Sequence, residues 1–142
     1  GVLDPERTIQ IGIRGRAEHL WDFSYDSGMR VVGIDEFYEL GVDAVIALAR
    51  EIVGTGPTYI SFDIDSIDPA FAPGTGTPEV GGLIPRDVQN LLRGLDGLDI
   101  VGADCVEVSP SYDPTGNTAH VASAMLWELL CLLVQGRVAR NR

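Results

Sequence analysis

The stretch Thr58-Tyr59-Ile60-Ser61-Phe62-Asp63-Ile64-Asp65-Ser66-Ile67-Asp68-Pro69 decides how this chain is read. Thr58 to Phe62 is β-branched, aromatic or apolar apart from one serine, the composition of a buried strand, and the carboxylates Asp63, Asp65 and Asp68 follow directly. Like charges gathered at the end of an apolar strand need a cation, a proton or an arginine to neutralise them. A Pro/Gly-rich loop then runs from Pro69 to Gly82.

Working outward, Val42, Val45, Ile46, Ala49, Ile52 and Val53 recur at spacings of three and four and predict a helix that stops at Gly54-Thr55-Gly56-Pro57. Thr8 to Ile13 reads as a strand ending in the loop Arg14-Gly15-Arg16. An arginine there could contact an anion, brace nearby carboxylates, or lie exposed in the loop, and the exposed reading is the expectation. Ala17 to Arg30 reads as a short helix and a loop, Met29 to Ile34 as a second strand, and Asp35 to Glu39 as a turn with helix-like spacing.

Beyond the carboxylate loop, Pro85 opens a helix with Val88, Leu91, Leu92 and Leu95 as its apolar stripe. Asp99 to Val108 is a further apolar strand with Glu107 near its end, and Tyr112 to Gly116 is a turn. Asn117 or Thr118 would cap a last helix reaching Val134 or Gln135, apolar nearly all round and so expected to be buried. Strands separated by helices predict one α/β domain over residues 1–142, layered around a mainly parallel sheet. Sites in such sheets form outside the C-terminal strand ends, which would bring Asp63, Asp65, Asp68 and Glu107 to one crevice.

Twenty-one acidic residues against ten arginines, with no lysine, leave a net charge of -11. That balance argues against nucleic acid and anionic membrane and favours a metal or a cationic small molecule. Cys105 and Cys131 lack metal-ligand spacing and read as reduced packing residues of a cytosolic protein. The run Val121 to Val134 contains Glu128 and reads as too short for a bilayer, so no membrane anchor is expected. Gly1 in place of a methionine, with no leader-like segment, suggests a fragment or a processed chain.

Three readings compete for the carboxylates. Asp63 and Asp65, on one side of an extended chain with Ile64 packed behind, could hold a divalent metal through hard oxygen ligands. An EF-hand loop starting at Asp63 fails, because it would need glycine at Asp68 and glutamate at Gly74. A strand ending in Asp-x-Asp also resembles haloacid-dehalogenase-like phosphatases, but the phosphoryl-holding lysine of those enzymes has no counterpart here. In the third reading the aspartates are turn residues, which suits Asp68 before Pro69.

Ser61-Phe62-Asp63-Ile64-Asp65, with Pro69, Pro73-Gly74 and Gly82 at their spacings, resembles the third signature of the ureohydrolase family of arginases, agmatinases and related amidinohydrolases. Thr8 to Gly15, Gly74-Thr75-Gly76-Thr77-Pro78-Glu79, and Val106 to Pro110 followed by Tyr112-Asp113-Pro114 are similar to agmatinase-like members. The resemblance implies a three-layer α-β-α arginase-like fold, with only its C-terminal half in this chain. It further implies that Asp63 and Asp65 bind a pair of Mn2+ ions, and that a metal-bridging hydroxide attacks the guanidinium carbon of a linear guanidino compound such as agmatine. Urea and an amine would leave. Glu107 resembles the glutamate that pairs with the substrate guanidinium, and Thr77 lies in the loop that approaches the substrate.

A cytoplasmic homo-oligomer, trimer or hexamer, working in polyamine metabolism is also implied. The family's Gly-Gly-Asp-His and Asp-Ala-His-x-Asp motifs and its proton-shuttle histidine have no match, so no catalytic residue is assigned within this chain. His19 reads as a surface residue and His120 as a core or capping one. Alone, the 142 residues are expected neither to bind manganese tightly nor to release urea. The competing class is a non-catalytic pseudo-enzyme or assembly subunit with the same fold.

Overall fold

The computed structural model describes residues 2–15 and 21–140, so the expectations for Arg16 and His19 lie outside the described residues. In chain order the elements are β1 (Ile9–Ile13), α1 (Asp22–Asp26), β2 (Arg30–Gly33), α2 (Ile34–Leu40), α3 (Val42–Val53), β3 (Thr58–Asp63), α4 (Pro85–Gly94), β4 (Ile100–Val106) and α5 (Asn117–Arg140). Short 3-10 turns cover Pro5–Arg7, Ile64–Ser66 and Pro110–Tyr112. The turn expected at Asp35 to Glu39 is helix α2, which buries Phe37.

Both strand pairs are parallel, as the alternation with helices requires. β1 pairs with β2 through Ile9↔Arg30 and Ile11↔Val32, and β3 pairs with β4 through Ile60↔Ala103 and Phe62↔Cys105. Instead of one sheet, the described residues form two sheets of two strands. Arginine side chains tie them. Before β1, Arg7 donates from Nε (2.9 Å) and Nη2 (2.6 Å) to the Val53 carbonyl ahead of β3. After β1, Arg14 reaches the carbonyls that follow β3. β1 and β3 share no ladder, and these two side chains link the flanks of β1 to the segments on either side of β3.

One apolar cluster joins the two pairs, with Val32, Phe37 and Val45 on one side and Phe62, Ile64 and Ile100 on the other. α3 buries Val45, Ala49 and Val53 at a helical spacing of four, and Gly54, with φ 62°, ends it. α4 opens on Pro85 and buries Val88, Leu91 and Leu92. It approaches α3 so closely that a Cβ on Gly94 would lie 2.4 Å from the Ile46 side chain.

Three expectations are corrected here. β3 is not buried on both faces, because Phe62 is in the core while Tyr59, Ser61 and Asp63 on the alternate face are exposed. α5 is not buried all round either. Ala122, Met125, Leu129 and Leu132 line its core face, yet Leu126, Trp127, Leu130 and Val134 stand exposed on the other. Since it continues to Arg140, its segment Asn117–Val138 is long and apolar enough to cross a membrane by length and composition. The core face shows that one side of it serves as a packing helix.

Leu129→Ala is expected to destabilise the chain by about 2–5 kcal/mol through the cavity it opens. Leu130→Ala, one residue along on the exposed face, is expected to stay within ~0.5 kcal/mol. Urea denaturation of the two variants checks the asymmetry.

Candidate active site at the strand ends

β3 ends at Asp63, and the chain turns at once into the 3-10 turn Ile64–Ser66, anchored by fully buried Ile64. Asp65 therefore does not continue an extended strand, and this corrects the expected same-side geometry. Asp63 and Asp65 meet through the turn instead, the Asp65 amide donating to the Asp63 carboxylate at 2.8 Å. The Ser66 hydroxyl closes it, donating to the Asp63 carbonyl at 2.7 Å. Ile64 packs behind the pair as expected.

Thr77, from the loop after Pro69, donates its hydroxyl to Oδ2 of Asp65. The other oxygen, Oδ1, is buried with no protein partner. Asp63 is exposed as a residue, but partial desolvation of its carboxyl, followed by the charges of Asp65 and Glu107, pushes that carboxyl above its ordinary value, while the Asp65 amide and Arg14 pull the other way. Thr77 thus meets Asp65 directly, and Asp63 lies within electrostatic range of both Asp65 and Glu107. Glu107 follows the end of β4 with φ 65°, the one non-glycine residue in the left-handed region among those described. That backbone state costs about 1–2 kcal/mol and turns Glu107 out of the strand path.

Arg14 is not an exposed loop arginine. It donates from Nη2 to the carbonyls of Asp65 (2.7 Å) and Glu79 (2.6 Å), from Nε to Glu79 (3.1 Å), and more weakly to those of Ser66 and Ile67 (3.4 Å each). It braces backbone, not carboxylates. Asp68 is the turn residue expected, accepting from the Ala70 amide at 2.8 Å, but it also closes the whole loop by accepting from Gly81 (2.7 Å) and Gly82 (3.1 Å). Those amides hold its carboxyl below the ordinary value. A Cβ on Gly82 would lie 2.6 Å from the Asp68 nitrogen and 2.8 Å from Arg14 Nη2, so only glycine fits there.

The midpoint of the same loop is pinned to the far side of the site. The Gly74 amide donates to Thr118 Oγ1 at 2.8 Å, and the Ser109 amide donates to the Gly74 carbonyl at 2.7 Å. Asp113, buried at 4% exposure, accepts from the Thr118 amide (2.6 Å) and hydroxyl (2.7 Å). The first amides of α5 are therefore satisfied by side chains ahead of the helix, that of Thr118 by Asp113 and that of Asn117 by the Thr115 hydroxyl (3.3 Å), and not by Asn117 or Thr118 as the sequence suggests. In the sequence Asp113 reads as part of the turn Tyr112 to Gly116. Its signal was the Asp-Pro-Thr spacing of a side chain that satisfies amides two and more residues ahead.

His120 is exposed, which removes the core role expected of it. Cys105 and Cys131 are free thiols. Among the described residues, no three His, Cys, Asp or Glu side chains gather as a metal centre.

Parallel strands with acids collected past their C-terminal ends define an α/β protein with a carboxylate-lined site. The model of the arginase family matches residues 1–132, and the chain belongs to that family. It is 58% identical over 137 residues to the guanidinopropionase of Pseudomonas aeruginosa, covering 95% of this chain and 43% of that protein. To the mitochondrial agmatinase of Gallus gallus it is 48% identical over 135 residues, covering 94% and 40%. It superposes on the proclavaminate amidino hydrolase of Streptomyces clavuligerus with a TM-score of 0.90 at 48% identity, over 94% of this chain and 45% of that one. The chain spans about two-fifths of the length of the curated relatives it matches.

Hydrogen bonds from Thr115 and Thr118 hold the Asp113 carboxyl well below its ordinary value of 3.8. A carboxyl depressed in the folded state stabilises the fold above the unfolded value and loses that contribution as pH falls below it. Asp113→Asn is accordingly expected to be less stable than the parent chain at pH 7, with the gap closing as pH drops below about 4. Urea titrations between pH 7 and pH 2.5 check this.

Proposed function

We propose that this chain is the C-terminal part, residues 1–142, of a ureohydrolase domain that hydrolyses a linear guanidino compound to urea and an amine with two Mn2+ ions. The observation that carries the reading is Asp65, one oxygen held by Thr77 and the other buried without a protein partner beside Asp63. A buried carboxylate oxygen with nothing to accept from calls for a cation, and hard oxygen donors suit manganese. Asp63 and Asp65 would hold it, with the remaining ligands supplied by polypeptide outside these residues. When bound, the metal pair supplies positive charge that acidifies water and polarises the substrate.

The chain's own residues divide the remaining work. Thr77 sets the Asp65 rotamer so that Oδ1 stays directed away from it. Glu107 accepts two N–H bonds from the planar guanidinium, the geometry a carboxylate matches best. Agmatine is the substrate that the acidic balance favours. A guanidino acid is a second reading, favoured by the 58% identity to a guanidinopropionase. A cytoplasmic homo-oligomer, trimer or hexamer, completes the proposal.

Urea release by the full-length polypeptide with manganese, measured on agmatine, guanidinopropionate, guanidinobutyrate and arginine, tests it. Turnover on one of these, abolished by chelation, is expected, and Glu107→Gln is expected to lower kcat/KM by about 100-fold or more. No urea from any of them would leave a non-catalytic member of the family. The isolated 142-residue chain, with manganese added, is expected to release none.

A further inference from the structure

The loop carrying Thr77 and the segment carrying Glu107 belong to different strand ends, yet a guanidinium seated between them needs their separation held to a fraction of an ångström. One junction connects them away from the carboxylates. Gly74, three residues before Thr77, uses both of its backbone polar groups on it, its amide on Thr118 and its carbonyl on Ser109, which lies two residues after Glu107. There is no room for a side chain, since a Cβ on Gly74 would lie 2.7 Å from Asp113 Cβ and 2.9 Å from Thr118 Oγ1.

Hydroxyl polarity explains why Asp113 stands behind this contact. A threonine hydroxyl can donate or accept, and the Gly74 amide requires it to accept. An ionised carboxylate only accepts, so Asp113 Oδ2, 2.7 Å from Thr118 Oγ1, takes the hydroxyl proton and leaves a lone pair for Gly74. Its other oxygen is occupied in the same sense by the amide and hydroxyl of Thr115. Every group facing Asp113 in this junction is a donor. An asparagine would have to point its NH2 at one pair of them.

We propose that Asp113, acting through Thr118, is a positioning residue that sets the spacing between Thr77 and Glu107 and thereby the fit of the substrate guanidinium. This deepens the ureohydrolase reading and rests on it. Asp113 touches neither substrate nor metal. It orients one hydroxyl, which fixes one glycine, which registers the two loops.

The test uses Asp113→Asn, Thr118→Val and Thr118→Ser in the full-length polypeptide, with two readouts. In steady-state kinetics, Asp113→Asn and Thr118→Val are expected to raise KM and the inhibition constant of millimolar guanidinium together, with kcat/KM down about 10- to 100-fold, while Thr118→Ser, which keeps the hydroxyl, restores values near wild type. In amide hydrogen exchange, residues 75–80 are expected to exchange about tenfold faster in the first two variants, beyond any change seen in α3, which reports only the loss of global stability. Wild-type KM, guanidinium inhibition and loop exchange in Thr118→Val would overturn the proposal. So would faster exchange throughout, α3 included, with KM unmoved, which is the mark of a purely structural role. A wild-type protein without turnover defeats the ureohydrolase reading instead, and the positioning role, defined by a guanidinium fit, falls with it whatever the exchange pattern.

Discussion

The guanidinium of Arg14 is the contact on which the arrangement of the site depends. It leaves the end of β1 and donates to backbone carbonyls on both arms of the loop after β3, those of Asp65 and Ile67 on one arm and that of Glu79 on the other. A planar fork with five donors can serve several carbonyls at once, which an ammonium on a flexible stem does less well. Because β1 and β3 share no ladder, this side chain and Arg7 supply hydrogen bonds between the two strand pairs that no backbone ladder makes. The positive charge also lies close enough to Asp63 to favour its ionised form.

Around that brace, the loop from Pro69 to Gly82 is held at three places by different chemistry. Asp68 gathers the amides of Ala70, Gly81 and Gly82 at the base, Arg14 takes the carbonyl of Glu79, and Thr118 takes the amide of Gly74. Gly74 and Gly82 sit where another backbone or side chain comes too near for a Cβ. A loop fastened in this way presents Thr77 to Asp65 without depending on secondary structure. The strained backbone at Glu107 belongs to the same region, where unusual conformations are held by their surroundings.

Most of the elements were legible because their periods were clear. The spacing of Val42, Val45, Ala49 and Val53 with Gly54 behind it located α3, and Pro85 located the start of α4. Asp63, Asp65, Thr77 and Glu107 stand out in the sequence, but the individual contacts among them, such as the Thr77 hydroxyl on Asp65, do not. The turn at Ile64 to Ser66 has no signal in an Ile-Asp-Ser run that reads equally well as extended chain. Arg14 was misread because an arginine in a Gly-flanked loop carries no trace of the carbonyls it will meet some fifty residues later. The long apolar α5 was misread because composition reports how apolar a helix is, and not whether both faces find a partner.

Local chemistry in the chain alone therefore determined the α/β class, the strand that delivers acids to a site, and the family resemblance, since period, turn residues and motif spacing are properties of neighbouring residues. Tertiary structure alone decided that the strands stand in two pairs tied by Arg7 and Arg14, that Thr77 leaves one oxygen of Asp65 buried and free, and that Asp113 locks Thr118 against Gly74. Each of these joins residues far apart in sequence through a single donor and acceptor, and such a pairing exists only once the fold has placed both partners within about 3 Å.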